Sequence, residues 1–141
     1  MASGFSVMWG NKINDKVWRA TDFTPATSYW IALFINATAG TYLRANDIAS
    51  AQEVAGGSYA RVEVRGSTGN TWGVSSGGLS VQSNDITFPA ATGNWGSIIS
   101  VAVMDASTAG NVVLYGDLPV PKPVSTPDIF KVPAGYFQSQ F

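Results

Sequence analysis

Reactive side chains are scarce in this chain. Nine carboxylates and eight lysines and arginines stand among 141 residues, with no histidine and no cysteine. Without histidine there is no Ser-His-Asp or Cys-His nucleophile, and no side chain whose unperturbed pKa lies near neutrality. Without either residue the usual zinc ligand sets are missing, and the Asp-x-Asp-x-Asp spacing of a calcium loop is absent. The glycine-rich stretches are Gly56-Gly57, residues 66–73 and Gly77-Gly78. None ends in Gly-Lys-Ser/Thr and none opens a helix after a strand, so they read as turns. Glycoside hydrolysis asks only for two carboxylates. However, Asp85, Asp105, Asp117 and Asp128 fall near predicted strand ends or turns, where aspartate serves backbone hydrogen bonds. The expectation is a protein with no catalytic residue, no cofactor and no metal.

One charged constellation stands out. Glu53 precedes Gly56-Gly57, and Tyr59-Ala60-Arg61 follows. Glu53 and Arg61 are near enough in sequence to meet across the glycine turn, where a charge-assisted pair would pin the loop to the strand that begins there. The alternative is two solvated charges, and neither version is catalytic. The aromatic residues are the other candidates, because aromatic faces stack on sugars. Trp30 and Trp95 lie inside apolar strands and are expected in the core. Trp72, beside Asn70 and Thr71, is the one plausible exposed platform, for a glycan or for a neighbouring subunit.

These residues must be held by short strands. Residues 5–19 (FSVMWGNKINDKVWR) read as the one clear helix, with Phe5, Trp9, Ile13 and Val17 in an apolar stripe beside Met8. The stripe suits a helix capping a β core; the rival reading is a docking helix. Thr24-Pro25 stops the helical pattern. Residues 28–36 (SYWIALFIN) look like a strand buried on both faces, and 58–65 (SYARVEVR) alternates cleanly. Further strands are expected at 79–88, 95–104, 112–115, 122–125, 129–132 and 136–141, with a turn at 107–111 whose Gly110-Asn111 pair suits positive φ. Pro119, Pro121 and Pro123 belong on an edge or a crossover, as a guard against strand pairing or as a recognition segment. Residues 37–57 are the least regular, with a helical turn expected near 46–51. The sum is a single mostly β domain over 1–141, a β-sandwich or jelly roll with one N-terminal helix at 5–19 and a β core at 28–141.

Composition narrows the partners. Charged residues make up only 12% of the chain, against about 25% in ordinary proteins. Ser, Thr, Asn and Gly leave a neutral polar surface that costs little to desolvate, which suits packing against protein. The net charge of −1 and the lack of a basic cluster argue against nucleic acid. No run of cations points to a membrane surface, the longest apolar run is far short of a bilayer span, and the N-terminus lacks a signal-peptide layout. Synthesis in a cytoplasm is expected.

In order along the chain, NKINDKVWRATDFTPATSYWIALF (11–34), EVAGGSYAR (53–61), ITFPAATGNWG (86–96), MDASTAG (104–110), LYGDL (114–118) and residues 129–135 resemble the small virion proteins of tailed bacteriophages, often labelled tail fibre or cement proteins. The Tyr-Ala-Arg and Phe-Pro-Ala-Ala-Thr…Trp-Gly stretches carry the resemblance most specifically. The chain departs from many of them in the Ile13-Asn14-Asp15-Lys16 segment of its helix and in a longer loop between Ile35 and Glu53, both natural docking surfaces. The resemblance implies a sandwich or jelly roll without catalytic residues, built into virions. It implies a capsid decoration protein that seats as a homo-oligomer, a trimer, on the major capsid protein at the outer shell, with a tail or fibre component as the alternative and a carbohydrate-binding module behind it. Contact residues are expected at Trp18, at Tyr42, Leu43 and Arg44 in the 37–52 loop, and at Trp72; Glu53, Tyr59, Arg61 and Trp95 are expected to be structural.

Overall fold

The chain opens with a short strand, β1 (Ser3–Phe5), that runs straight into helix α1 (Val7–Arg19). The computed structural model describes residues 3–66, 69, 70 and 72–140. Ser67, Thr68 and Thr71 of the glycine-rich stretch, and Phe141 of the final predicted strand, lie outside the described residues. Ser6 caps the helix: its hydroxyl accepts from the Trp9 amide and donates to the Val112 carbonyl. Ala20 ends it in the left-handed region, after Lys16 and Arg19 have placed two cations where the helix dipole favours them. Phe5 belongs to the strand, so the helix starts later than its periodicity suggested. The apolar stripe is also shorter than expected. Trp9 is buried, with Phe5 and Met8 packed beside it, whereas Val17 is exposed. Only the first half of the helix overlies the sheet.

The remaining elements are β2 (Tyr29–Phe34), α2 (Ala39–Arg44), α3 (Ile48–Ala51), β3 (Val62–Gly66), β4 (Gly69–Asn70), β5 (Leu79–Val81), β6 (Ile86–Thr87), β7 (Gly96–Met104), β8 (Val112–Val124), β9 (Lys131–Val132) and β10 (Gln138–Gln140). Strand residues outnumber helical ones two to one, 36% against 18%, in antiparallel sheets with one helix near the N-terminus. The main sheet has the order β1-β8-β7-β2-β3-β4, and the pairs β10-β5 and β6-β9 lie apart from it.

Strand alternation gives this sheet two buried faces. Ile31, Leu33, Val64, Val101, Val103 and Leu114 face the larger core, which Trp9, Phe88, Trp95, Phe130, Val132 and Phe137 close in the manner of a sandwich. Ala32, Phe34, Ala102, Met104, Val112 and Tyr115 face a smaller core, closed by Ala39, Leu43 and Ala51. That second cover explains why β2 reads as an unbroken apolar run. It also corrects two expectations. Within the 28–141 stretch the helical turn expected near 46–51 is present as α3, but α2 at Ala39–Arg44 adds a helix that was not expected. Trp30 is half-buried rather than central, because it sits on the helix-covered face but outside the cluster those helices close.

Strand β8 runs through all three prolines instead of stopping at Tyr115. It tolerates them because β1 covers only Leu114 to Gly116 on its outer side. Beyond that point no described strand pairs with the outer edge, where the Tyr136 hydroxyl donates to the Asp117 carbonyl, and the register on the β7 side slips between Ile98 and Ser100. The turn after β7 places its positive φ angles at Ala109 and Gly110, not at Gly110 and Asn111. Asp105 satisfies the far side of that turn by accepting from the Asn111 amide. Among the described residues, no helix is long and apolar enough to cross a membrane.

Candidate functional site

The densest polar cluster is built from Glu53, Tyr59 and Arg61. Glu53 follows the left-handed Gln52 that closes α3, and it bridges to Phe34 at the end of β2. The chain then turns through Gly56 and Gly57, both at positive φ, which returns Tyr59 and Arg61 to the same place. Arg61 grips Glu53 with two parallel bonds, Nε to Oε1 and Nη2 to Oε2, each 2.7 Å. Its Nη1 donates to the Ala106 carbonyl at 2.7 Å and the Ala109 carbonyl at 2.9 Å. One guanidinium thereby ties the glycine turn to the tip of the β7–β8 hairpin.

Tyr59 completes the cluster. Its hydroxyl donates to Glu53 Oε1 at 2.7 Å and accepts from the Leu33 amide at 3.0 Å. Its ring stacks on Phe88 and meets Trp95 edge-on. Trp95, 2% exposed, donates from Nε1 to the Gly57 carbonyl at 2.8 Å. The glycine turn is thus held from both sides, by the clamp and by the indole.

The electrostatics mark this cluster as a fastening. Burial, and then the negative charge of Glu53, push the Tyr59 hydroxyl far above its ordinary range, so it stays protonated. Burial alone would lower Arg61, but the hydrogen bonds and charge of Glu53 outweigh it and raise Arg61 further. The Arg61 side chain is 3% exposed and the Glu53 side chain 24%. A hollow of about 400 Å³ opens here between the clamp and Ser107, Thr108 and Ala109. The clamp's own donors and acceptors are committed to one another and to the hairpin carbonyls.

Asp85, Asp105 and Asp128 sit at turns or strand ends, whereas Asp117, expected there too, lies inside β8, which runs on past it. Asp85 accepts from the Ala134 amide and pairs with Lys131 at 2.8 Å, which together hold its carboxyl below the usual range. Asp117 accepts from the Ser100 hydroxyl, and Asp128 from the Ser125 amide. Among the described residues no group of three or more carboxylates comes together.

The expected contact residues separate. Trp18 is 81% exposed. It lies nine residues after Trp9, about half a turn round the helix at 3.6 residues per turn, so burial of one aims the other outward. Tyr42 is half-buried against the smaller core and Arg44 is exposed. Leu43 cannot be a contact, since it is 0% exposed: α2 turns it inward to close the smaller core. Trp72 is not an open platform either. It bridges to Gln82 and packs half-buried against the larger core.

A second hollow, about 470 Å³, was not visible in the sequence. Phe5, Leu114, Pro119, Tyr136, Phe137 and Gln138 are among its walls, so it lies between the β1–β8 margin and β10. Its walls come from both ends of the chain, which no local pattern announces.

A family model described as podophage GP4 fiber I protein gp80 matches residues 4–140. No curated protein matches the chain.

Proposed function

The chain belongs to the podophage GP4 fiber I protein gp80 family and is a structural protein of a phage virion, and from that premise we propose that it is a non-catalytic component of a virion fibre, working by docking on protein. The observation that carries this reading is the family match over nearly the whole chain, to a protein described as a fibre. The polar cluster supports it, because the groups that look most like chemistry are consumed in holding a turn to a hairpin. Trp18 supports it from the other side, as a large aromatic residue that the fold leaves outside.

Capsid decoration is the second reading, and the low charge favours it, because a neutral polar surface packs cheaply into a lattice. In that role the partner would be the major capsid protein and the seat a point where capsid subunits meet, occupied by a homotrimer. Stabilisation would follow from linkage: a protein that binds the assembled shell and not the loose state adds its binding free energy to the shell.

Copy number separates the two. Quantitative gel analysis of purified particles, with labelled-antibody microscopy, should find a small number of copies confined to fibres. Hundreds of copies spread over the shell would refute the fibre reading. Under the decoration reading, particles lacking the protein would also lose their DNA sooner on heating.

A further inference from the structure

Residues 3–19, which make up β1 and α1, form an arm held at the margin of the fold. Strand β1 is the outermost of the main sheet and pairs with β8 over Leu114 to Gly116. Ser6 adds two bonds to the same strand, from its amide to the Val113 carbonyl and from its hydroxyl to the Val112 carbonyl. Helix α1 then lays Trp9 edge-on against Tyr29 and carries its second half, with Val17 and Trp18, into solvent.

The arm joins the body through residues 20–28, which form neither helix nor strand and are mostly exposed. Half-buried Phe23 meets Trp9 edge-on at 5.7 Å. At the surface the connector is tied by the Thr21 amide on the Asp15 carbonyl at 3.2 Å, by Arg65 on the Ala26 carbonyl at 3.1 Å, and by the exposed Lys16–Asp22 pair. A connector of this length reaches about 30 Å when extended, and Thr24, standing before Pro25, favours the extended form.

Two costs are stored where the connector folds back. Ala20 turns the chain out of α1 at φ +53°, a left-handed conformation that its methyl group opposes. Asn46, Gln52, Ser58 and Ala109 also have positive φ, but each is bonded to another segment through its side chain or its carbonyl. Ala20 is exposed and keeps the cap bond from its amide to the Asp15 carbonyl. The second cost is the Trp9 indole nitrogen, which is buried without a hydrogen-bond partner among the described residues. Straightening the connector releases Ala20 and withdraws Phe23 from the indole, while the seat on β8 stays as it is. A hinge under strain of this kind favours exchange between copies. The seat also specifies its occupant: it takes β1 and α1 in register, and a second copy carries the same arm.

We infer that copies of this protein exchange arms, β1 and α1 of one copy seating on β8 and Tyr29 of another with the connector straightened between them. Each copy gives one arm and receives one, so the exchange closes as a reciprocal pair or a ring. The inference goes beyond both virion readings and depends on neither.

The test starts from isotope-labelled and unlabelled full-length chains, mixed in denaturant and refolded together at high concentration, which releases the arms. Light scattering should give a whole multiple of the 14.8 kDa monomer. Isotope-filtered NMR should show contacts between Phe5 of one copy and Leu114 of another, and between Trp9 and Tyr29 in the same way. Ala20→Gly removes the strain of the folded-back hinge, so it should raise the concentration needed for half-assembly by about tenfold per hinge. Trp18→Ser should leave that concentration unchanged, because Trp18 is not part of the seat. Wild-type protein that stays monomeric, an oligomer in which these contacts remain within one copy, or Ala20→Gly protein that assembles as readily as wild type overturns the inference. Assembly abolished by Trp18→Ser overturns it as well, since the copies then dock by their surfaces.

Discussion

Replacing Arg61 with alanine should destabilise the domain by about 2–4 kcal/mol. Breaking a buried ion pair from one side costs about 3–5 kcal/mol, because the remaining charge is left without its partner. The lower range applies here because the Glu53 side chain keeps 24% of its surface in water and still accepts from Tyr59. The carbonyls of Ala106 and Ala109 lose their donor as well, but they lie near the surface, where water replaces it. For a chain of this length, each kcal/mol moves the melting temperature by about 3–4 °C, so calorimetry should register a fall of roughly 6–15 °C. Arg61→Lys keeps the charge but loses the two-pronged grip and should recover only part of that loss. A double-mutant cycle with Glu53→Gln should return a coupling above about 1 kcal/mol. If Arg61→Ala melts within about 3 °C of wild type, the pair is a solvated surface contact and the fastening role assigned to it is wrong.

Trp95→Ala should cost about 3–5 kcal/mol in chemical denaturation, since the side chain fills the larger core and holds Gly57, whereas Trp18→Ala should leave the midpoint unchanged. Gly57→Ala should destabilise measurably, because φ there is +56° and a new methyl would lie 2.9 Å from the Trp95 indole nitrogen and 3.0 Å from the Gly93 amide; a midpoint equal to wild type would show that the turn relaxes. Stability should be flat from about pH 6 to 9, because there is no histidine. The Tyr59 hydroxyl is raised in the folded state, so its contribution is full below the ordinary tyrosine value near 10 and is lost as pH rises toward the folded value. Tyr59→Phe should blunt that alkaline fall. Asp85 is lowered, so its contribution is full above about pH 4 and is lost on acidification.

What the sequence disclosed was what short-range physics controls. The apolar run at 28–36 announced β2, and Gly56-Gly57 between Glu53 and Arg61 announced their meeting, because a turn needing positive φ admits few other residues. What it hid depends on distant neighbours. Leu43 looked like a loop residue until the sheet supplied a second face for α2 to cover. The prolines point to an edge, as β8 has it, but nothing local tells that β1 stops at Gly116 and that the strand runs on through all three. The two carbonyls that complete the Arg61 grip lie 45 and 48 residues away, at positions whose side chains are only methyl groups. No reading of side-chain types could have found them.

The hollow bounded by both β1 and β10 has one more consequence. Gly4 and Phe5 line it together with Gln138 and Ser139, so the first and last described strands leave the fold beside each other. A pull applied through β1 and β10 loads this one margin rather than stretching the sheet lengthwise. The same proximity allows the chain to be rewired: a short linker across the hollow and a new opening in the exposed stretch around Val74 would give a circular permutant with every strand pairing of the main sheet intact.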